Sequence, residues 1–280
     1  MRARIAEAAA RPSRRAEAIK LVAVTKTVGL AEIQKLLELG VSDLGESRVQ
    51  DAERKIRAYA APEGDRQPIS KLPEIGVSPP PPEIGVSPPP PEIGVSPPPR
   101  WHLIGHLQTN KADKAARLFH VVHAVDSLRV AQALNKERLG QRGTDSQFPN
   151  CRPLLAACRL GVSVPLLPPL PCLLEINVAA EAQKFGLRPE ISAVVELLKP
   201  CAELPGLKIT GLMCMAPYSE NPEATSRPVF RRLRELLAEV NAKGLYPAPL
   251  TELSMGMTQD YIIAIEEGAT MVRVGTALFE

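Results

Sequence analysis

Lys26 closes an apolar run, Leu21-Val22-Ala23-Val24-Thr25-Lys26, that is followed by a turn (Thr27-Val28-Gly29) and then by a helical pattern. A short β-branched run bounded by glycine reads as a buried strand, and few such strands end on lysine. An ammonium at the C-terminal end of a strand, with a helix next, stands where α/β folds carry their chemistry. A partly desolvated lysine there gives up its proton more readily, and the free amine can condense with an aldehyde as a Schiff base. On position alone, a lysine snorkelling to solvent is the commoner case.

The far end of the chain adds a second set of groups. Leu253-Ser254-Met255-Gly256-Met257-Thr258 leads into a helical stretch, and Met271-Val272-Arg273-Val274-Gly275-Thr276 reads as a strand ending in a Gly-Thr turn. Gly275 allows close approach of the backbone to an anion, and Ser254 and Thr276 add hydroxyl donors. In a closed barrel, strands seven and eight adjoin strand one, which is the usual phosphate corner. A lysine that can take an aldehyde, beside a phosphate cup, describes a pyridoxal phosphate site.

Seven ordered blocks resemble the pyridoxal phosphate homeostasis family, whose barrel is that of the alanine racemase N-terminal domain. They are LVAVTKT (21–27), DLGESRVQDA (43–52), WHLIGHLQTNK (101–111), VVHAVDSLRVAQALNK (121–136), LLEINVAAEAQKFG (173–186), ITGLMCMAP (209–217) and LSMGMTQDYIIAIEEGATMVRVGTALF (253–279). The resemblance implies that Lys26 carries the Schiff base. It implies that Ser254, Gly275 and Thr276 hold the phosphate while Met255 and Gly256 shape the same loop. By the same resemblance Arg273 faces the pyridine nitrogen and keeps it unprotonated, which weakens the ring as an electron sink. Asn177, on the fifth strand, and Met213, after the sixth, line that face, and His102 approaches the cofactor as part of the WHLIG block. One position departs from the family. After the second strand the motif is usually Gly-Glu-Asn, and here Gly45-Glu46-Ser47 keeps a hydroxyl but loses the reach of the amide.

Strand and helix patterns alternate along the chain. Strands are expected at 21–25, 42–44, 101–104, 120–123, 172–177, 207–212, 251–254 and 271–274. Helices are expected at 30–39, 47–60, 109–117, 127–139, 188–199, 226–243 and 258–267, with an extra one at 3–10 covering the start of the barrel. This order predicts a (β/α)8 TIM-type barrel in one domain spanning 1–280, with an open doubly wound sheet as the alternative. The last strand is followed only by Ala277-Leu278-Phe279-Glu280, where the family continues into a closing helix, so the eighth strand is expected to lack cover.

Two segments interrupt the alternation. Residues 73–99 are three copies of PEIGVSPPP, read as a disordered proline-rich insertion that favours polyproline II and buries little apolar surface. Residues 140–171 form an irregular insertion containing Pro165-Leu166-Leu167-Pro168-Pro169-Leu170-Pro171.

Composition narrows the function classes. The 34 basic and 31 acidic residues leave a net charge of +3, too balanced for a nucleic-acid binder. Five cysteines, without C-x-x-C spacing, indicate neither a disulfide framework nor a zinc site. The histidine pairs His102/His106 and His120/His123 have no carboxylate or cysteine at ligand spacing, so they read as rim or core histidines rather than metal ligands. The most apolar stretch is broken by prolines and Arg159, so no membrane span is expected, and the cytoplasm is the expected compartment.

The reading is a carrier that holds pyridoxal phosphate reversibly and passes it to apo-enzymes, as a monomer or weak dimer and without turnover. A racemase needs a second base opposite the lysine, and Tyr59, Tyr218, Tyr246 and Tyr261 lie in helical or loop patterns with no strand-rich module to hold one. A racemase-like enzyme acting on small amino acids and an adaptor working through the proline repeats are the alternatives.

Overall fold

In the computed structural model, residues 1–12, 14–60, 98–140, 168–181 and 183–279 are described. All but the last two residues of the repeats at 73–99 and nearly all of the second insertion lie outside them. Eight parallel strands, β1 (Lys20–Val24), β2 (Asp43–Glu46), β3 (Arg100–Leu103), β4 (Val121–Val125), β5 (Leu170–Glu175), β6 (Leu207–Met213), β7 (Glu252–Ser254) and β8 (Met271–Val274), close on themselves in sequence order. The sheet is therefore a barrel and not the open alternative. Its seam is regular: Lys20, Leu21, Val22 and Ala23 of β1 pair with Met271, Val272, Arg273 and Val274 of β8. That pairing, together with the contact of β8 to β7, holds the eighth strand in place.

The helices are α1 (Arg2–Ala10), α2 (Leu30–Glu38), α3 (Val49–Ala60), α4 (Ala112–Leu118), α5 (Leu128–Gly140), α6 (Ile191–Cys201), α7 (Pro222–Ala242) and α8 (Tyr261–Glu266). Their apolar residues recur at helical spacing. Ile33, Leu36 and Leu37 are the buried positions of α2, and Val229, Phe230, Leu233, Leu236, Leu237 and Val240 form the stripe of α7. Helix starts are chemically marked. The Glu32 carboxylate accepts from the Gly29 amide at 3.0 Å, and the Asn221 side chain accepts from the Ala224 amide at 3.3 Å ahead of Pro222. Helix α1 packs against α8, as the extra N-terminal helix was expected to do for the start of the barrel.

Alternation along each strand divides the apolar residues into two clusters. Val22, Ile104, Val121, Leu173, Met213 and Met271 fill the barrel, whereas a larger cluster including Ala23, Leu44, Val122, Leu174 and Val272 lies between sheet and helices. Gly211 marks the tightest contact between strands, since a Cβ there would lie 1.8 Å from the Glu252 carbonyl oxygen. The fifth strand starts at Leu170, two residues earlier than expected, and contains Pro171. Proline lacks a donor but is tolerated near the start of a strand, and the preceding Leu170 amide still reaches the Gly206 carbonyl at 2.8 Å. No helix of the described residues is long and apolar enough to cross a membrane.

Candidate cofactor site at the mouth of the barrel

The strand register sets the site. The β1–β8 pairing runs to Ala23 and Val274, so the chain leaves β1 through Val24, Thr25 and Lys26 beside the exit of β8 through Gly275 and Thr276. The position of a Gly275 Cβ would be 3.5 Å from the Val24 Cβ, which confirms the level. Lys26 lies in the turn beyond β1, and it is exposed with no bonded partner among the described residues. The partial desolvation expected for it is therefore not met, because the strand ends at Val24 and the turn carries the side chain out to solvent.

A buried network that the sequence did not reveal anchors that turn. Glu46, at the end of β2, accepts from the Thr25 hydroxyl at 2.6 Å and from the Lys55 ammonium at 2.7 Å, and Lys55 also donates to the Thr25 carbonyl. All three side chains are buried. The residue immediately before Lys26 is thus fixed by a charge-assisted contact from α3.

On the opposite side of the seam, Gly256 takes φ 90°, a conformation costly for other residues, and turns the chain out of β7. Its carbonyl accepts from the Arg273 amide at 2.9 Å. Asp260 holds this turn, accepting from the Met257 amide at 2.6 Å and the Ser226 hydroxyl at 3.0 Å, and burial raises its carboxyl above the usual range. The exposed Thr258 brings its hydroxyl oxygen to within 3.4 Å of the Gly275 amide, which donates to it. Thr276 is exposed and Gly275 partly so.

Ser254, Met255 and Met213 are fully buried, Met213 inside the barrel. The Arg273 guanidinium, also buried, donates from Nη1 to Ser254 Oγ at 2.6 Å and from Nη2 to the Cys214 carbonyl at 2.8 Å. Behind them runs a line of polar groups: Ser254 Oγ to His123 Nδ1 at 2.9 Å, His123 Nε2 to His102 Nδ1 at 2.9 Å, and His102 Nε2 to Asp43 Oδ1 at 2.8 Å. Burial depresses both histidines, so they are neutral. Burial works to raise the Asp43 carboxyl, but the His102 hydrogen bond and the nearby Arg100 and Lys20 hold it below its ordinary value. An anionic Asp43 fixes the direction of donation: Arg273 to Ser254, Ser254 to His123, His123 to His102, His102 to Asp43. His102 thus extends the line away from the mouth toward the start of β2.

Ser47 is half-buried in the bend after β2, its backbone oxygen packed against Gly105. Asn177 lies two residues past β5 instead of on it, because the strand ladder ends at Glu175. Its side chain amide donates to the carbonyls of Glu181 at 2.8 Å and Lys184 at 3.3 Å, organising the loop that follows.

An eight-stranded parallel barrel with a lysine leaving β1 beside glycine- and hydroxyl-rich exits from β7 and β8 defines the class of alanine racemase-type barrels. The chain matches the alanine racemase N-terminal domain over residues 2–280. It is 32% identical over 276 residues to the pyridoxal phosphate homeostasis protein of Aquifex aeolicus, covering 99% of this chain and 92% of that one. To the Pseudomonas aeruginosa protein of the same name it is 33% identical over 278 residues, with 99% and 90% covered. Among solved structures, PipY of Synechococcus elongatus with pyridoxal phosphate bound is similar at a TM-score of 0.64 and 28% identity, over 99% of this chain and 100% of that one. An alanine racemase of Clostridium difficile shares the fold at a TM-score of 0.58 and 13% identity, over 99% of this chain and 58% of that one. The chain belongs to the alanine racemase N-terminal domain family and, within it, to the pyridoxal phosphate homeostasis proteins.

Proposed function

We propose that this chain binds pyridoxal phosphate through Lys26 and serves to hold and release it. The observation that carries this reading is the register of the barrel seam, which sets an exposed primary amine beside Gly275 and Thr276. The names of its relatives and the bound state of PipY support it. When bound, pyridoxal phosphate supplies an aldehyde that condenses reversibly with an amine.

The donor set suits that molecule. Lys26 offers the amine, Gly275, Thr276 and Thr258 offer an amide and hydroxyls for a phosphate, and Arg273 offers a guanidinium to the ring side. Ser254, read from the sequence as a phosphate donor, is engaged instead by Arg273 and His123. With His123 and His102 it acts through Arg273 by holding it at a fixed angle, while Met213 lines the floor and Met255 and Gly256 shape the turn beside the phosphate donors. Asn177 and Ser47 set the loops at the rim. The site groups all come from one chain, so a monomer or weak dimer suffices, with apo-enzymes as recipients.

On this reading the protein turns nothing over. A racemase moves a proton off one face and onto the other, which takes a second acid–base group opposite the lysine. Tyr246 is engaged with the Ile209 amide at 2.8 Å, Tyr261 is buried with its ring under Arg4, and Tyr59 sits at the far end of α3. Tyr218 follows β6 but is 85% exposed, with no hydrogen-bond partner among the described residues to orient it. Borohydride treatment of the protein incubated with pyridoxal phosphate, followed by peptide mapping, tests the assignment. The adduct is expected on Lys26, and an adduct on another lysine overturns it.

A further inference from the structure

Three neighbouring strands deliver one ligand-type side chain each to a single point on the rim. His106 follows β3, Asp126 follows β4 and Glu175 ends β5, away from the seam between β8 and β1. One donor atom from each lies within 4.8 Å of the other two. His106 Nδ1 and Asp126 Oδ2 are 3.3 Å apart. Metal bonds of about 2.0–2.2 Å at a tetrahedral angle separate two ligand atoms by roughly 3.3–3.5 Å, so this pair already spans one edge of a coordination shell. Closing the shell on one cation requires the Glu175 carboxylate to move inward from its place within 4.8 Å of the other two.

Glu175 supplies an independent observation. The residue is only 3% exposed, and its Oε2 has no hydrogen-bond partner among the described residues. Buried carboxylate oxygens are ordinarily hydrogen-bonded, paired with a charge or bound to a cation. The His106 ring is also held in place. It stacks on Phe185 with centroids 3.6 Å apart and planes inclined by 10°, and Phe185 belongs to the loop that Asn177 organises. Fixing the ring from one face presents Nδ1 toward Asp126. An open depression of about 460 Å³, lined by His106, Gln108, Thr109, Asp126 and Ser127, leaves room for water to complete the shell. Arg129 lines it as well and disfavours loosely held cations, so affinity must come from the three inner ligands.

We propose that His106, Asp126 and Glu175 bind one divalent transition cation, Mn2+ or Zn2+, at the mouth of the barrel. One imidazole with two carboxylates suits these ions better than Mg2+ or Ca2+, which favour all-oxygen shells. The sequence concealed the group because its members are contributed by separate strands and only the closed sheet brings them together.

The test uses the full chain, stripped with chelator and free of pyridoxal phosphate, titrated with Mn2+ alone by loss of the free-ion EPR signal and with Zn2+ alone by calorimetry. One equivalent is expected to bind. His106→Ala and Glu175→Gln should each weaken binding at least about tenfold, the lower bound seen even for groups that only support a ligand. Glu220→Gln, on the exposed surface, should leave it unchanged. Circular dichroism checks that each variant folds. If Glu175→Gln does not fold, His106→Ala decides, since its side chain is 30% exposed and can be removed without opening the core. Absence of stoichiometric binding, or binding of equal strength in a folded His106→Ala protein, overturns the proposal.

Discussion

His123 Nδ1 lies 2.9 Å from Ser254 Oγ, deep inside the barrel, and Arg273 donates to the same oxygen at 2.6 Å. The Ser254 hydroxyl therefore accepts from the guanidinium and donates to the imidazole at once, joining the arginine of the site to the histidine line that ends on Asp43. Replacing Ser254 with Ala leaves two buried groups without partners. The expected loss is about 1–3 kcal/mol of stability for each orphaned group that cannot recover a partner, read from urea unfolding. Pyridoxal phosphate affinity should fall as well, because Arg273 is no longer held. A variant with wild-type unfolding would show that the line is not continuous.

Lys26 and Lys55 should respond in opposite ways. Lys26 is exposed without a partner among the described residues, so Lys26→Ala is expected to change stability by less than about 0.5 kcal/mol while abolishing the borohydride-fixed adduct. Lys55 is buried against Glu46 at 2.7 Å, and Lys55→Met leaves an uncompensated buried carboxylate. A loss of about 3–5 kcal/mol is expected in chemical unfolding. Adduct formation lost in a stably folded Lys55→Met protein but retained in Lys26→Ala would exchange their roles.

Acid should destabilise the fold through its buried histidines. Burial lowers His120 from 6.5 to about 4, and its Nδ1 accepts from the Trp101 amide at 3.0 Å, which requires the neutral ring. His102 and His123 are depressed in the same direction by burial. For these three rings the unfolded chain takes up protons first as pH falls, so their contribution is level above about 6.5 and is lost below it. They outweigh the carboxyl of Glu175, which burial raises to about 7 and which works in the opposite direction. Urea midpoints measured from pH 7.5 down to 4.5 should fall throughout the lower part of that range. A flat profile would mean that these rings are protonated in the folded state.

Gly211→Ala tests the closest approach in the sheet. The added methyl would meet the Glu252 carbonyl, a backbone atom that cannot swing aside, so β6 and β7 must part. Destabilisation of roughly 3 kcal/mol or more, or insoluble expression, is expected. A soluble variant with an unchanged unfolding midpoint would show that the two strands are farther apart.

The carrier reading has a kinetic consequence. With pyridoxal phosphate bound, α-proton exchange of alanine or serine in deuterated water should be negligible beside the roughly 1–1,000 per second of ordinary enzymes. Turnover in that range would require a second base and would favour a racemase.

Local pattern was enough to place all eight strands and the main helices, because most strands are short apolar runs and the helices between them repeat apolar residues at three and four. It also marked Lys26 and the Gly275-Thr276 turn, whose types and positions at strand ends are properties of the chain itself. Closure of the barrel came from tertiary structure, since periodicity describes one strand at a time and pairing β1 with β8 joins residues some 250 apart in sequence. Separation in sequence, though shorter, also hid the Thr25–Glu46–Lys55 anchor, the line from Arg273 to Asp43 and the meeting of His106 with Asp126 and Glu175. Spacing separates His102 and His106 by four residues, yet the folded chain sends one inward to Asp43 and the other out to Asp126. On a strand and its following loop, unlike on a helix, neighbours at that spacing need not converge, and only the packed sheet decides where each side chain points.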